Sequence, residues 1–136
     1  MGADAEAFLE RWHRIVAEKD LAALAEILSD DVEMGAPPYW QRLRGRDLVA
    51  HLLGLVVHTI EGFSYRREWL RGSELALEFT GRVGGLDLQG VDLISLDAAG
   101  RLRRIEVPMR PSNAVAELQR RIAPRMQAYL AGGAQA

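Results

Sequence analysis

Gly84 and Gly85 stand between two stretches in which apolar residues recur at every second position. Before them, Leu75, Leu77, Phe79 and Val83 share one side of a strand over 74–83; after them, Leu86, Leu88, Ile94 and Leu96 share one side over 86–96. Both glycines accept positive φ, which a two-residue hairpin loop demands. Closing the chain there sets Val83 opposite Leu86, Gly81 opposite Leu88, Phe79 opposite Gly90 and Leu77 opposite Asp92. The apolar sides then coincide, and Arg82 meets Asp87 on the other side as opposite charges. A one-residue slip would turn every side chain to the wrong face, so the register is strongly specified.

The residues around this hairpin read as helices first and strands later. Phe8, Leu9, Trp12, Ile15 and Val16 recur at helical spacing, with Glu6, Glu10, Arg11, Arg14 and Glu18 elsewhere on the surface. Asp20 caps a second, shorter helix whose apolar side is Leu21, Leu24, Ala25 and Leu28. Ser29-Asp30-Asp31 reads as a turn, and 32–36 as a short strand closed by Pro37 and Pro38. A third helix starts near Gly45 or Asp47 and carries Leu48, Val49, Leu52, Leu53, Val56, Val57 and Ile60. After Gly62 come a strand over 63–71, a turn at Gly72-Ser73, the hairpin, a turn over 97–100 and a last long strand over 101–109. A final helix follows Pro111, capped by Ser112 or Asn113, with Val115, Leu118 and Ile122 inward. Pro124 is expected to kink or end it, with a further turn over 126–130. The expectation is one α+β domain over 1–136, its ends fraying at about 1–4 and 131–136, with helices on one face of a mainly antiparallel sheet.

Composition excludes several classes. A chain of 136 residues, 49% hydrophobic and 26% charged, can bury a core without covalent staples. The absence of cysteine removes disulfides, thiol nucleophiles and cysteine-ligated metals. A net charge of −2 gives no global field for nucleic acid. The arginines at 42, 44, 46 and at 101, 103, 104 lack the interleaved aromatic residues of a single-strand binding groove. Leu52–Val57, the longest apolar run, contains a glycine and falls far short of a membrane span. The acidic start (Asp4, Glu6) is unlike a secretory leader, so a cytoplasmic protein is expected, with neither nucleic acid nor membrane as partner.

The order of elements carries a resemblance. Phe8-Leu9-Glu10-Arg11-Trp12 leads to Lys19-Asp20-Leu21, then Leu28-Ser29-Asp30-Asp31-Val32-Glu33 and Leu43-Arg44-Gly45-Arg46-Asp47. Gly90-Val91-Asp92-Leu93-Ile94 and Asp97-Ala98-Ala99-Gly100-Arg101-Leu102 follow, and Met109-Arg110-Pro111 precedes the last helix. Over nearly its whole length the chain resembles the nuclear transport factor 2-like superfamily, which includes ketosteroid isomerase, scytalone dehydratase and SnoaL-like polyketide cyclases. The resemblance implies a cone: three N-terminal helices on a curved, mainly antiparallel sheet, plus a C-terminal helix. It does not imply one reaction, because the fold hosts enzymes, ligand carriers and protein-binding modules.

Asp92 is the most informative residue. Alternation puts its carboxyl on the side of Leu88, Ile94, Leu77 and Phe79, where loss of water disfavours the charged form. By resemblance it occupies the place of the protonated aspartic acid of ketosteroid isomerase; a structural aspartate bonded to a neighbour fits equally. The resemblance puts a tyrosine donor of that family at Trp12, whose indole N–H also donates but whose place in the apolar stripe suits core packing. It puts the general base at Met34, after Val32-Glu33, and a thioether takes no proton. A steroid isomerase mechanism is therefore not expected. Glu33 substitutes only if a bulge turns it inward.

Of the histidines, His51 and His58 lie about 10 Å apart along one helix, too far to share a metal ion. Asp47 and His51 are spaced to pair, His13 sits with Glu10 on a polar side, and His58 is the best placed as a pocket acid or base. No metal site and no cofactor are implied. The Pro37-Pro38-Tyr39-Trp40 loop offers Tyr39 and Trp40 to a pocket mouth, a subunit contact or its own packing. Met34, Phe63, Tyr65, Trp69, Leu77, Phe79 and Met109 can line an apolar cavity or fill a core, and Gly81 and Gly90 leave room beside Asp92. Two readings follow. In the first, the cone binds a small, mainly apolar molecule, with Asp92 as anchor or acid/base aided by Trp12 or His58. In the second, a non-catalytic domain forms a homodimer through the outer sheet face at Ala76, Val91 and Leu93.

Overall fold

A computed structural model describes residues 2–37 and 40–135, with the side chains of 4–37 and 40–132 placed. The hairpin forms in the register that alternation requires: β4 (Glu74–Val83) pairs with β5 (Leu86–Leu96) along its whole length, from Glu74 opposite Ser95 to Val83 opposite Leu86. Gly84 and Gly85 take φ of 56° and 83°, the positive values that the turn needs. Leu75, Leu77, Phe79, Leu88 and Ile94 are buried on its inner face.

The helices α1 (Gly2–Glu18), α2 (Leu21–Glu26) and α3 (Arg46–Thr59) precede it, and α4 (Ser112–Gln135) follows. Phe8, Trp12 and Ile15 bury the stripe of α1. Asp20 caps α2 through the Ala23 N–H at 3.1 Å. Seven strands form one curved, mixed sheet, ordered β2 (Leu43–Arg44), β1 (Leu28–Gly35), β6 (Leu102–Glu106), β5, β4, β3 (Glu61–Arg71), with β7 (Met109–Arg110) paired to β5. Among the described residues only β1 and β6 run parallel.

Four local expectations change. Ser29-Asp30-Asp31 is not a turn between elements but an irregularity inside β1, where the register against β6 shifts between Leu28 and Glu33. Its turn chemistry survives as the Ser29 hydroxyl donating to Asp31 at 3.2 Å, while β6, seventy residues on, pulls the segment into the sheet. The strand expected over 101–109 divides at Pro108, which has no N–H for a ladder. Pro124 does not end α4; it lies within the helix on its exposed side. The Asp47–His51 pair does not form: His51 stacks on Tyr129 of α4 at 3.9 Å between ring centres, and its Nε2 is buried without a partner.

Candidate active site

The concave face of the sheet presents one cross-strand row that fixes the site. Tyr65 on β3 lies opposite Phe79 on β4, Phe79 opposite Gly90 on β5, and Gly90 opposite Met109 on β7. Asp92 and Leu77 lie in the next row. The β3–β4 register shifts between Tyr65 and Glu68, so two arginines, Arg66 and Arg67, are taken up where one residue would fit. That bulge points Tyr65 and Glu68 inward and turns Trp69 out, where it is 51% exposed. Strict alternation had put Trp69 beside Tyr65 and Phe63; the bulge is what separates them.

Asp92 is buried, with 5% of its surface exposed. Tyr65 donates its hydroxyl proton to Asp92 Oδ2 at 2.5 Å, and Trp12 Nε1–H donates to the Tyr65 oxygen at 2.7 Å. The three side chains thus form a directed chain from α1 through β3 to β5. No other hydrogen bond to the Asp92 carboxyl forms among the described residues, which leaves Oδ1 free. Burial pushes the Asp92 carboxyl up to about 7, against the opposing pull of the Tyr65 hydrogen bond. Burial, and next the Asp92 charge, hold the Tyr65 hydroxyl well above its ordinary value, so it stays protonated and donates. An acid group near 7 can give or accept a proton at neutral pH.

Asp92 and Tyr65 sit in the wall of an apolar cavity enclosed by α1, α2, α3 and the sheet. Its volume is about 40 Å³, room for about three waters. Lys19, Asp20, Leu21 and Gly54 stand at its outer end, where Leu21 packs on the bare backbone of Gly54. The space at the inner glycines is not free, contrary to expectation. A Cβ on Gly90 would lie 2.4 Å from Phe79 Cζ and 2.9 Å from Met109 Cγ, and one on Gly81 would lie 2.3 Å from Ile60 Cγ2. Neighbouring side chains have moved in over both.

The predicted residues separate into groups. Trp12, Met34, Phe63, Phe79, Met109 and Asp92 line the cavity together. Leu77 is fully buried in the core and is not in the cavity wall. His58 is exposed at the end of α3, and its Nδ1 lies 2.8 Å from the Gly54 carbonyl of its own helix, so it does not join Asp92. Trp40 is 96% exposed and borders a separate polar groove with Arg42, Arg44 and Glu106. Tyr39 lies outside the described residues. His13 is not merely a polar surface residue of α1: it pairs with Glu68 of β3, its ring 5.6 Å from that of Tyr65. Glu33 binds Arg44 and Arg104 rather than turning inward. Among the described residues, no cluster of three or more histidine and carboxylate groups could hold a metal ion. Tyr65, the middle of the chain, was visible in sequence only as one of several aromatic liners, because its link to Asp92 reaches across the intervening strand β4.

No family model and no curated protein sequence matches the chain. Solved structures do. A steroid delta-isomerase from Pseudomonas aeruginosa is similar at 33% identity and a TM-score of 0.89, covering 96% of this chain and 97% of its own. An uncharacterised protein with a cystatin-like fold from Silicibacter pomeroyi is similar at 38% identity and a TM-score of 0.83, over 87% of this chain and 84% of its own. An NTF2-like protein of unknown function from Mesorhizobium loti shares the fold at 16% identity and a TM-score of 0.71, over 81% and 93%. The cone of helices on a curved sheet, and the extent of these two closer likenesses, place the chain in the nuclear transport factor 2-like superfamily, among its ketosteroid isomerase-like members.

Proposed function

We propose that this chain binds a small, mainly apolar molecule through an oxygen atom at Asp92, and that Asp92 exchanges a proton with it in isomerase-type acid–base chemistry that needs no cofactor. The observation that carries this reading is a carboxyl at the wall of an apolar cavity, raised to about 7 and gripped at one oxygen only. Below that value the neutral acid donates from Oδ1 to a ligand carbonyl or hydroxyl, while Oδ2 still accepts from Tyr65. Trp12 orients Tyr65 and Tyr65 orients Asp92, so the donor is set before the ligand arrives. The similarity to a steroid delta-isomerase supports the reaction class. Met34 in the cavity wall supplies no second proton acceptor, so Asp92 has to serve both directions of transfer.

The test is the pH dependence of binding. Enones, phenols and steroid-like ketones are titrated into the wild type and Asp92→Asn, with melting temperature and calorimetric affinity as readouts. Wild-type affinity for a carbonyl ligand should fall as pH rises through about 7, while that of Asp92→Asn, whose amide donates at every pH, should stay level. A wild type that binds none of these compounds, or binds them equally at pH 5 and 9, would end this reading.

A second reading concerns assembly and is compatible with the first. Trp69, Ala76 and Leu93 form one row on the outer sheet face, with Trp69 and Leu93 51% and 45% exposed. An apolar row of this kind favours a homodimer through that face.

A further inference from the structure

Beside the Asp92 cavity lies a second apolar space, the groove between α3 and α4. It has a volume of about 210 Å³ and is lined by Leu52, Leu118, Ile122, Ala123 and Met126, with three glutamines and, among the described residues, no charged side chain in its wall. Met34, Ala36, Val56 and Met109 belong to both walls. The two spaces are therefore one side chain apart, and two of the four dividing residues are methionines.

Size decides what this means. An apolar cavity of about 150 Å³ is what a benzene ring occupies, so the 40 Å³ beside Asp92 is too small for any ring by itself. A ligand that reaches Asp92 must displace part of the wall. The most compliant part is the pair of thioethers, unbranched and with three rotatable bonds each. Moving Met34 or Met109 opens the cavity into the groove.

We propose that the cavity and the groove are two compartments of one site for an elongated amphiphile, a ring or carbonyl head at Asp92 and a hydrocarbon tail between α3 and α4, with Met34 and Met109 as the movable partition. This rests on the proposed function, and adds the shape and chemical class of the ligand. The described groove wall holds three glutamines but no counter-charge, so a second ionic end is disfavoured by its desolvation.

The probes are phenol, 4-ethylphenol, 4-butylphenol and 4-octylphenol, with calorimetric Kd and the methyl NMR signals of the methionines as readouts. In the wild type, affinity should rise about fourfold per added methylene. Signals of Met34 and Met109 should move with every phenol, and that of Met126, which lines only the groove, with the long-chain ones alone. Ala123→Trp, which fills the groove, should abolish the gain with chain length. Met126→Lys, whose charge can reach water from the groove's rim, should do the same if the tryptophan variant folds poorly. Chain length without effect on Kd, or a gain that survives both variants, overturns the two-compartment site while leaving phenol binding intact. Failure of phenol and its homologues alike to bind overturns the proposed function with it. If sedimentation shows that Ala123→Trp instead breaks a dimer and spares the chain-length gain, the groove is a contact between copies and the inference is wrong.

Discussion

The hydroxyl of Tyr65 lies 2.5 Å from Oδ2 of Asp92, although 27 residues and an intervening strand separate them. The bond ties the edge of the sheet to its centre, and Trp12 ties α1 to both. Fold stability and site chemistry are coupled through this one contact.

The raised pKa of Asp92 is a stability statement. Its unfolded value is near 3.8 and its folded value about 7, so between the two the native state holds a proton that the unfolded chain has lost. Stability is then full below about pH 4 and declines as pH rises to 7, by roughly 4 kcal/mol if Asp92 acts alone. Urea denaturation of wild type and Asp92→Asn across pH 4–8 should show the difference between them shrinking or reversing in that direction. Parallel curves would show that Asp92 titrates normally.

Removing only the Tyr65 hydroxyl leaves the Trp12 N–H buried without an acceptor. Tyr65→Phe should cost about 1–3 kcal/mol. It should also move the Asp92 titration above 7, because the lost hydrogen bond is the influence that lowers it. Carbon-13 NMR of the Asp92 carboxyl reads this shift directly, and an unchanged or lowered midpoint would contradict the hydrogen-bond chain.

Two glycines should respond oppositely to alanine. At Gly90 the new methyl would strike the Phe79 ring and Met109 inside the packed row, costing about 1–3 kcal/mol. At Gly54 it would meet, at 2.6 Å, only the end of the exposed Leu21 side chain, while the helix gains about 1 kcal/mol of propensity. Calorimetric melting should place Gly90→Ala below the wild type and Gly54→Ala at or above it.

The outer-face dimer has its own test. Leu93→Glu sets a charge between Ala76 and Glu106 on that face and should yield monomers in sedimentation equilibrium, with ligand binding retained. A wild type that is already monomeric at high concentration would dispose of the assembly reading.

The hairpin and the inward side of Asp92 were legible in the sequence because both are local. A two-residue turn and period-two alternation specify register, and register specifies which face each residue takes. The cap at Asp20 was legible for the same reason. The tertiary structure alone decided the rest. The bulge that parts Tyr65 from Trp69 depends on β3 fitting to β4, and the inclusion of Ser29–Asp31 in a strand depends on β6, far along the chain. Whether a glycine leaves a hole or admits a neighbour depends on side chains from other elements, as Phe79, Met109 and Ile60 show at Gly90 and Gly81. Alternation fixes direction along one strand; distance between strands, and the space between helices, come from packing.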